Sequence, residues 1–370
     1  MTSRVCRNHR PSRRFAGLAV AGVVAALFGG GGAGLPAAIA ADASVATPSE
    51  RPQRDKPPAD APRTAQAVET PATAKDPAGA AETPASEAAK PAPGPTKTDL
   101  AYGAFQRGYY LTAVELAEPL ANLGDPAAQT LLGEIYSRGL GVARNLQEAA
   151  RWYKAAATAG NSEAQFRYAM MLIEGSAVKQ DEAQARDLMK AAAEAGLPLA
   201  EYNFGQMLIE TSPAGGFSEA ARYFQRAASA GVPEAQYAMS QLYANGRGVT
   251  ADPAKARAFL HAAALNGFTI AQIEYGIWLI NGKGGEAKPE EGFRFLKHAA
   301  DLGNPIAINR VAHLYKDGIG TEPDVAAAAK WAVLAKRMKN SDPGLDDFFR
   351  GLDADAQKAA LEAANRFRSG

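Results

Sequence analysis

A block of about 36 residues returns six times between Asp125 and Lys339, and a fixed period of that length restricts a chain to a helical repeat array. Five blocks close on one signal, first as Trp152-Tyr153-Lys154-Ala155-Ala156-Ala157-Thr158-Ala159-Gly160 and next as Leu188-Met189-Lys190-Ala191-Ala192-Ala193-Glu194-Ala195-Gly196, with later copies ending at Gly231, Gly267 and Gly303. The sixth decays into Lys336-Arg337-Met338-Lys339, as a terminal unit without a further neighbour does. This register sets the units at 125–160, 161–196, 197–231, 232–267, 268–303 and 304–340.

Superposing the copies assigns a role to each position. Alanine recurs as Ala128, Ala164, Ala200, Ala235, Ala271 and Ala307, and again as Ala156, Ala192, Ala227, Ala263, Ala299 and Ala335, which predicts helix contacts too close for a larger side chain. Four residues after the first alanine comes a large apolar residue (Leu132, Tyr168, Phe204, Met239, Tyr275, Val311). A small one follows it: Gly133, Ala169, Gly205, Ser240, Gly276 or Ala312. With Tyr136, Leu172, Leu208, Tyr243, Leu279 and Tyr315 three positions further on, the spacing is that of an amphipathic first helix. The second helix carries Trp152, Leu188, Tyr223, Phe259, Phe295 or Trp331, taken as the knob that the small residues receive. Gly139-Leu140-Gly141-Val142, repeated as Gly246-Arg247-Gly248-Val249 and in altered form at Gly282-Lys283-Gly284-Gly285 and Gly318-Ile319-Gly320, joins the helices. No strand precedes these runs and no Gly-Lys-Ser/Thr follows, so they are connecting turns rather than phosphate loops. Copy three departs, with Thr211-Ser212-Pro213-Ala214-Gly215-Gly216 in place of the motif and one residue fewer.

The run Ala-x-x-x-Leu/Tyr-Gly-x-x-Tyr, then Gly-x-Gly-Val, then Glu-Ala-x-x-Trp-Tyr-x-x-Ala-Ala-x-x-Gly resembles the Sel1-like repeat, a relative of the tetratricopeptide repeat with a longer loop between its helices. Ala128 through Gly160 and Ala235 through Gly267 carry the resemblance best, and it extends over roughly 60% of the chain. It implies an all-α, right-handed solenoid of stacked antiparallel helix pairs. Proteins of this kind serve as adaptors in membrane-protein complexes, as bacterial signalling regulators and as secreted interaction proteins, among which the fold does not choose.

The flanks complete the plan. Residues 99–124, with Ala101, Phe105, Tyr109, Ala113, Ala117 and Leu120 at helical spacing, read as a short pair capping the first copy. At the other end, 341–370, Asp342-Pro343-Gly344 reads as a break. A last helix capped by Asp353 then shows Ala356, Ala359, Ala360, Ala363 and Phe367 on one face. Arg4, Arg7, Arg10, Arg13 and Arg14 precede an uncharged run from Phe15 to Phe28, and Ala38-Ile39-Ala40 offers a small-x-small cleavage pattern, so 1–40 reads as a signal peptide. Ser12-Arg13-Arg14-Phe15 hints at the twin-arginine route. The alternative, an uncleaved inner-membrane anchor, is opposed by Gly29 to Gly34, which dilute an already short apolar run. From 41 to 98 the chain has eleven prolines and no aromatic residue, too little apolar surface to offset the ordering entropy, and is expected to be a disordered linker.

Composition narrows the chemistry. A formal net charge of +1 suggests neither a nucleic-acid footprint nor a polybasic membrane patch, and after signal cleavage no membrane span is expected. The single cysteine, Cys6, precedes the apolar run, so the mature chain would have no thiol for a disulfide, a zinc site or a nucleophile. His9, His261, His298 and His313 are never spaced as a metal pair, and no nucleophile elbow occurs. Adjacent carboxylates such as Glu290-Glu291 and Asp346-Asp347 point different ways on a helix. No catalytic residue, cofactor or metal ligand is expected.

Surface recognition remains. By analogy with the tetratricopeptide array, the first helices line the concave side and three positions per copy look into it. They are Thr130, Phe166, Tyr202, Tyr237, Ile273 and Asn309; Glu134, Met170, Gln206, Gln241, Ile277 and His313; and Ser137, Ile173, Ile209, Ala244, Ile280 and Lys316. The ends are polar and the middle carries Phe166, Met170, Ile173, Tyr202, Gln206, Ile209, Tyr237, Gln241, Ile273, Ile277 and Ile280, a strip suited to a peptide. The alternative is packing inside the array, above all for Phe166, Tyr202 and Tyr237. The resulting expectation is an exported, periplasmic or secreted, non-catalytic scaffold of the cell envelope that binds a protein or peptide partner. Two rival classes are a periplasmic regulator that restrains a sensor kinase and a cell-envelope hydrolase.

Overall fold

A computed structural model describes residues 96–212 and 215–367. The expected signal peptide and all of the linker before Thr96 lie outside the described residues, as do Pro213 and Ala214 of the divergent turn in copy three. The described chain is helical throughout: α1 (Lys97–Gln106), α2 (Tyr110–Asn122), α3 (Pro126–Arg138), α4 (Leu146–Thr158), α5 (Ser162–Glu174), α6 (Glu182–Glu194), α7 (Pro198–Thr211), α8 (Gly216–Ser229), α9 (Pro233–Asn245), α10 (Pro253–Leu265), α11 (Thr269–Asn281), α12 (Pro289–Asp301), α13 (Pro305–Asp317), α14 (Val325–Arg337), α15 (Pro343–Arg350) and α16 (Ala354–Asn365). The first helices of the six copies are therefore the odd-numbered α3 to α13, and the second helices the even-numbered α4 to α14.

Local chemistry sets the boundaries. Asp125, Asn145, Asn161, Asp181, Asp252, Asn304 and Asp324 each accept a backbone N–H of the turn they precede, which satisfies donors that a helix start leaves open. Proline opens α3, α7, α9, α10, α12 and α13, where its fixed φ suits the first turn and no N–H is needed. Thr96 and Asp99 form a capping box, so α1 begins at Lys97, ahead of the boundary at 99 drawn from composition. Asp342-Pro343-Gly344 is likewise the start of α15 rather than a break, with Asp342 capping Leu345 N and Pro343 in the first turn.

Two glycines shape the turn between paired helices. The first, as at Gly139, Gly246, Gly282 and Gly318, takes φ of 65–69° and ends the first helix. The second does more. A Cβ on Gly248 would lie 2.4 Å from Phe217 C, and one on Gly320 would lie 2.1 Å from Pro289 O, so each of these glycines rests on the start of the preceding copy's second helix. The turn thus joins neighbouring copies as well as its own two helices.

Packing follows the alanines. All twelve recurrent alanines are fully buried, with α3 to α14 packed each against the next. The small-residue positions meet the residue after the expected knob: a Cβ on Gly133 would lie 2.6 Å from the Tyr153 ring, and one on Gly205 would lie 2.6 Å from Phe224 Cε1. Trp152 and Trp331 are buried as expected; in the other copies Met189, Phe224, Leu260 and Leu296 are the buried knobs, with Tyr153 beside Trp152, whereas Leu188, Tyr223, Phe259 and Phe295 are half-buried. One step is about 100° on a helix, which carries the expected residue off the facing stripe. Tyr223, Phe259 and Phe295 instead meet Phe204, Tyr243 and Tyr275, at centroid distances of 5.0, 5.7 and 5.0 Å.

Consecutive first helices α1, α3 and α5 also touch one another. α14 packs on α16, whose buried face is Ala360 and Ala364 with Ala356 and Phe367 at its edge; Ala359 is exposed, because the face follows i, i+4 spacing. His313 Nε2 and Asn309 Nδ2 each lie 2.8 Å from Asp342 Oδ2 and fasten α15 to α13. Burial pushes the Asp342 carboxyl up, but these bonds and Leu345 N–H outweigh it and hold its pKa at about 2.

Candidate functional site

The first-helix face is built on a buried tie between copies. Gln129, Gln165, Gln236 and Gln272 occupy one position and donate to Ala121 O, Ala157 O, Ala228 O and Ala264 O, at 3.0, 3.4, 3.1 and 3.1 Å. Each acceptor is the next-to-last residue of the preceding second helix, where carbonyls lack an intrahelical partner. Copy three has Glu201 here, which offers no donor to Ala193 O. Arg226 of α8 supplies it at 3.2 Å and pairs with Glu201 at 2.5 Å. Burial raises the Glu201 carboxyl, against the pull of Arg226. The four glutamines were visible in the aligned copies, and that repetition was the signal for this tie.

The expected partner-binding strip divides by depth. Phe166, Tyr202, Gln206, Ile209, Tyr237, Gln241 and Ile273 lie below the surface; Ile209, 1% exposed, sits against α8. Met170, Ile173, Ile277 and Ile280 are partly exposed. The accessible strip therefore has apolar side chains in copies two and five, and between them a polar floor in copies three and four.

That floor repeats one motif with two outcomes. Tyr202 and Gln206 are four apart on α7, and Gln206 Nε2 donates to the Tyr202 hydroxyl. Tyr237 and Gln241 hold the same positions on α9, but Gln241 Nε2 turns to Glu274 of α11, 3.1 and 3.0 Å from its two oxygens. The Tyr237 hydroxyl then makes no hydrogen bond of good geometry, although the residue is only 3% exposed and the Glu274 carboxylate lies beside it. Burial and the neighbouring Glu274 push its pKa well up. Burial also raises the Glu274 carboxyl, against the Gln241 amide, the Tyr237 hydroxyl beside it and, more weakly, Lys283 and Trp278. Glu274 belongs to none of the ion pairs of the described residues, and the Lys283 ammonium lies over the Trp278 ring, 4.1 Å from its centroid.

At the other end of the strip, the Tyr153 hydroxyl donates to Glu134 Oε2 at 3.0 Å, Arg138 pairs with Glu134 at 3.1 Å and Arg167 with Glu163 at 2.7 Å, so these charges are compensated. His261 stacks on Tyr275 at 4.7 Å and His298 is exposed in the last turn of α12. Among the described residues no group of three or more His, Cys, Asp or Glu could hold a metal ion, and no helix is long and apolar enough to cross a membrane. The face offers hydrogen-bond acceptors, negative charge and flanking apolar contacts, which are the means of recognition.

Comparison with known families gives a match to the Sel1 repeat at 126–161, 162–197, 199–232, 233–268, 269–304 and 305–340, together more than half of the chain. A crystal structure of a Sel1 repeat protein from Oxalobacter formigenes is 26% identical with a TM-score of 0.56, over 65% of this chain and 96% of that one. Another, of a protective antigen present in uropathogenic Escherichia coli strains and displaying an SLR fold, is 24% identical with a TM-score of 0.49, over 73% of this chain and 68% of that one. No curated protein matches the chain.

Proposed function

This chain belongs to the Sel1 repeat family, whose fold is generally a protein–protein interaction scaffold and whose members are typically non-catalytic, and on that premise we propose that it is an exported adaptor of the cell envelope that binds a protein or peptide segment along its first-helix face. The observation that carries this reading is the accessible strip itself: Met170 and Ile173 at one end, Ile277 and Ile280 at the other, and the polar floor of copies three and four between them. Apolar anchors around oriented polar groups are what an extended or helical segment needs for affinity and register. The second-helix side carries mostly solvated pairs such as Lys190–Glu194 and Arg151–Glu148, which add little to binding. Export rests on the basic start, the apolar run and Ala38-Ile39-Ala40.

Photocrosslinking tests the face. With a photoreactive residue at Met170 or Ile277, one envelope protein is expected to be captured in stoichiometric yield. The same group at Arg186 or Arg294 on second helices should capture none. Capture only from the second-helix positions would move the site and end this reading. N-terminal sequencing of the same preparation is expected to start near Ala41; recovery of Met1 from a cytosolic fraction would end the export proposal.

A further inference from the structure

We infer that the polar floor at the junction of copies four and five is a subsite for a basic side chain, a lysine or arginine of the bound segment, received by the Glu274 carboxylate with the Tyr237 hydroxyl and the Gln241 amide beside it. This deepens the reading of the first-helix face as a docking surface and rests on it.

The molecule contains its own control. In copy three the Tyr202–Gln206 pair closes on itself and both side chains are satisfied. In copy four the same pair is opened by Glu274, and the result is a buried hydroxyl with no hydrogen bond of good geometry, beside a partly buried carboxylate that belongs to no ion pair of the described residues. A neutral tie between copies four and five would not need a carboxylate: Gln241 could bond Tyr237 as Gln206 bonds Tyr202. Buried polar groups left this way are costly, and a site that awaits a hydrogen-bonding cation is where such a cost is retained. Lys283, the nearby cation, is parked on Trp278 and does not fill it. One carboxylate among neutral oxygens is too few ligands for a hard metal ion, but it suits an ammonium or guanidinium that approaches with three or more donors.

The surroundings favour the same occupant. In copies one to five the first helices carry Glu134, Glu163, Glu174, Glu210 and Glu234 besides Glu201 and Glu274, and their only cations, Arg138 and Arg167, are already paired. The second helices of copies four and six bear Lys255, Arg257, Lys330, Lys336 and Arg337 and no carboxylate. A basic segment is therefore steered to the first-helix side, and an acidic one away from it. Ile277 and Ile280, partly exposed on the same helix as Glu274, offer apolar surface for the stem of the incoming side chain.

Fluorescence anisotropy with labelled eight-residue peptides of alternating Leu-Arg, Leu-Gln or Leu-Glu, at low ionic strength, tests the subsite on the full chain. The Leu-Arg peptide is expected to bind about ten-fold or more tightly than the other two, and Glu274→Gln to weaken it by about ten-fold. Glu362→Gln, the same charge change on the exposed face of α16, should leave it within about two-fold. Tyr237→Phe removes only the hydroxyl, which makes no hydrogen bond of good geometry: it should melt no lower than the wild type and bind the Leu-Arg peptide about three-fold more weakly. Equal binding of all three peptides, equal losses from Glu274→Gln and Glu362→Gln, or a clear drop in Tm for Tyr237→Phe each overturns the cation subsite and leaves the docking face standing. If no peptide binds and the Met170 and Ile277 crosslinks are also absent, the face itself falls and the subsite with it.

Discussion

In copy four one neutral side chain, Gln236, ties its helix to the Ala228 carbonyl, whereas copy three reaches the equivalent Ala193 carbonyl through a charged pair, Glu201 and Arg226. On the outer side of the same two helices the situation reverses. Copy three closes its tyrosine on its glutamine, and copy four leaves its tyrosine hydroxyl open beside Glu274. Between copies, then, a departure from the repeat is repaired within the fold. On the first-helix face it is not repaired, and there the proposed subsite lies.

Removing the repair should have the largest effect. Arg226→Ala leaves Glu201, whose side chain is 4% exposed, as a buried charge without a partner and is expected to cost about 3 kcal/mol in urea unfolding. Adding Glu201→Gln restores the tie used by copies one, two, four and five, and the double variant should return to within about 1 kcal/mol of the wild type. If both variants lose the same amount, the charged pair is not standing in for the glutamine. Next, Gly205→Ser gives copy three the small residue that copy four has at Ser240. Because a Cβ at Gly205 would meet the Phe224 ring at 2.6 Å, a loss of about 2 kcal/mol is expected, where Ser240→Gly in copy four should lose about 1 kcal/mol or less. Equal effects would mean that the two copies pack alike.

The smallest effect is one of sign. Burial raises the folded pKa of Glu274 above its unfolded value, so the charged carboxylate is a penalty present above the folded pKa and absent below the unfolded one. Glu274→Gln should therefore melt slightly above the wild type at pH 7, and the gap should close as the pH falls through the folded pKa toward the ordinary carboxylate value of 4.5. A variant that melts lower at pH 7 and stays lower in acid would make Glu274 a structural tie. Copy three, with an alanine of copy four, Ala238, where copy five has Glu274, has no counterpart to this titration.

The array was legible because its signals are local and repeated. The twelve alanines, the caps and the Gly-x-Gly turns act within one or two helices, and all the alanines are buried where the alignment put them. The expected partner-binding strip was legible only as a set of positions. Ile173, Ile209 and Ile280 share one register, yet Ile209 is sealed against α8 while the other two are partly open, because copy three lacks the usual turn and Gly216 brings α8 close to α7, where a Cβ would lie 2.2 Å from Leu208 O. Trp152 and Trp331 are buried as expected, but in copies two to five the buried knob is the next residue, because the repeat shows which residues are large, not which way the helix is rotated against its partner.

By itself the sequence determined the six-fold helical repeat, the close alanine contacts and the absence of a thiol beyond Cys6, since periodicity and composition act without knowledge of neighbours. Which polar side chains meet across copies was decided by the tertiary structure alone. Gln206 and Gln241 are the same residue in the same position after the same tyrosine, and only the helix that lies beside each one, with or without a carboxylate 33 residues on, determines whether the tyrosine is satisfied or left open.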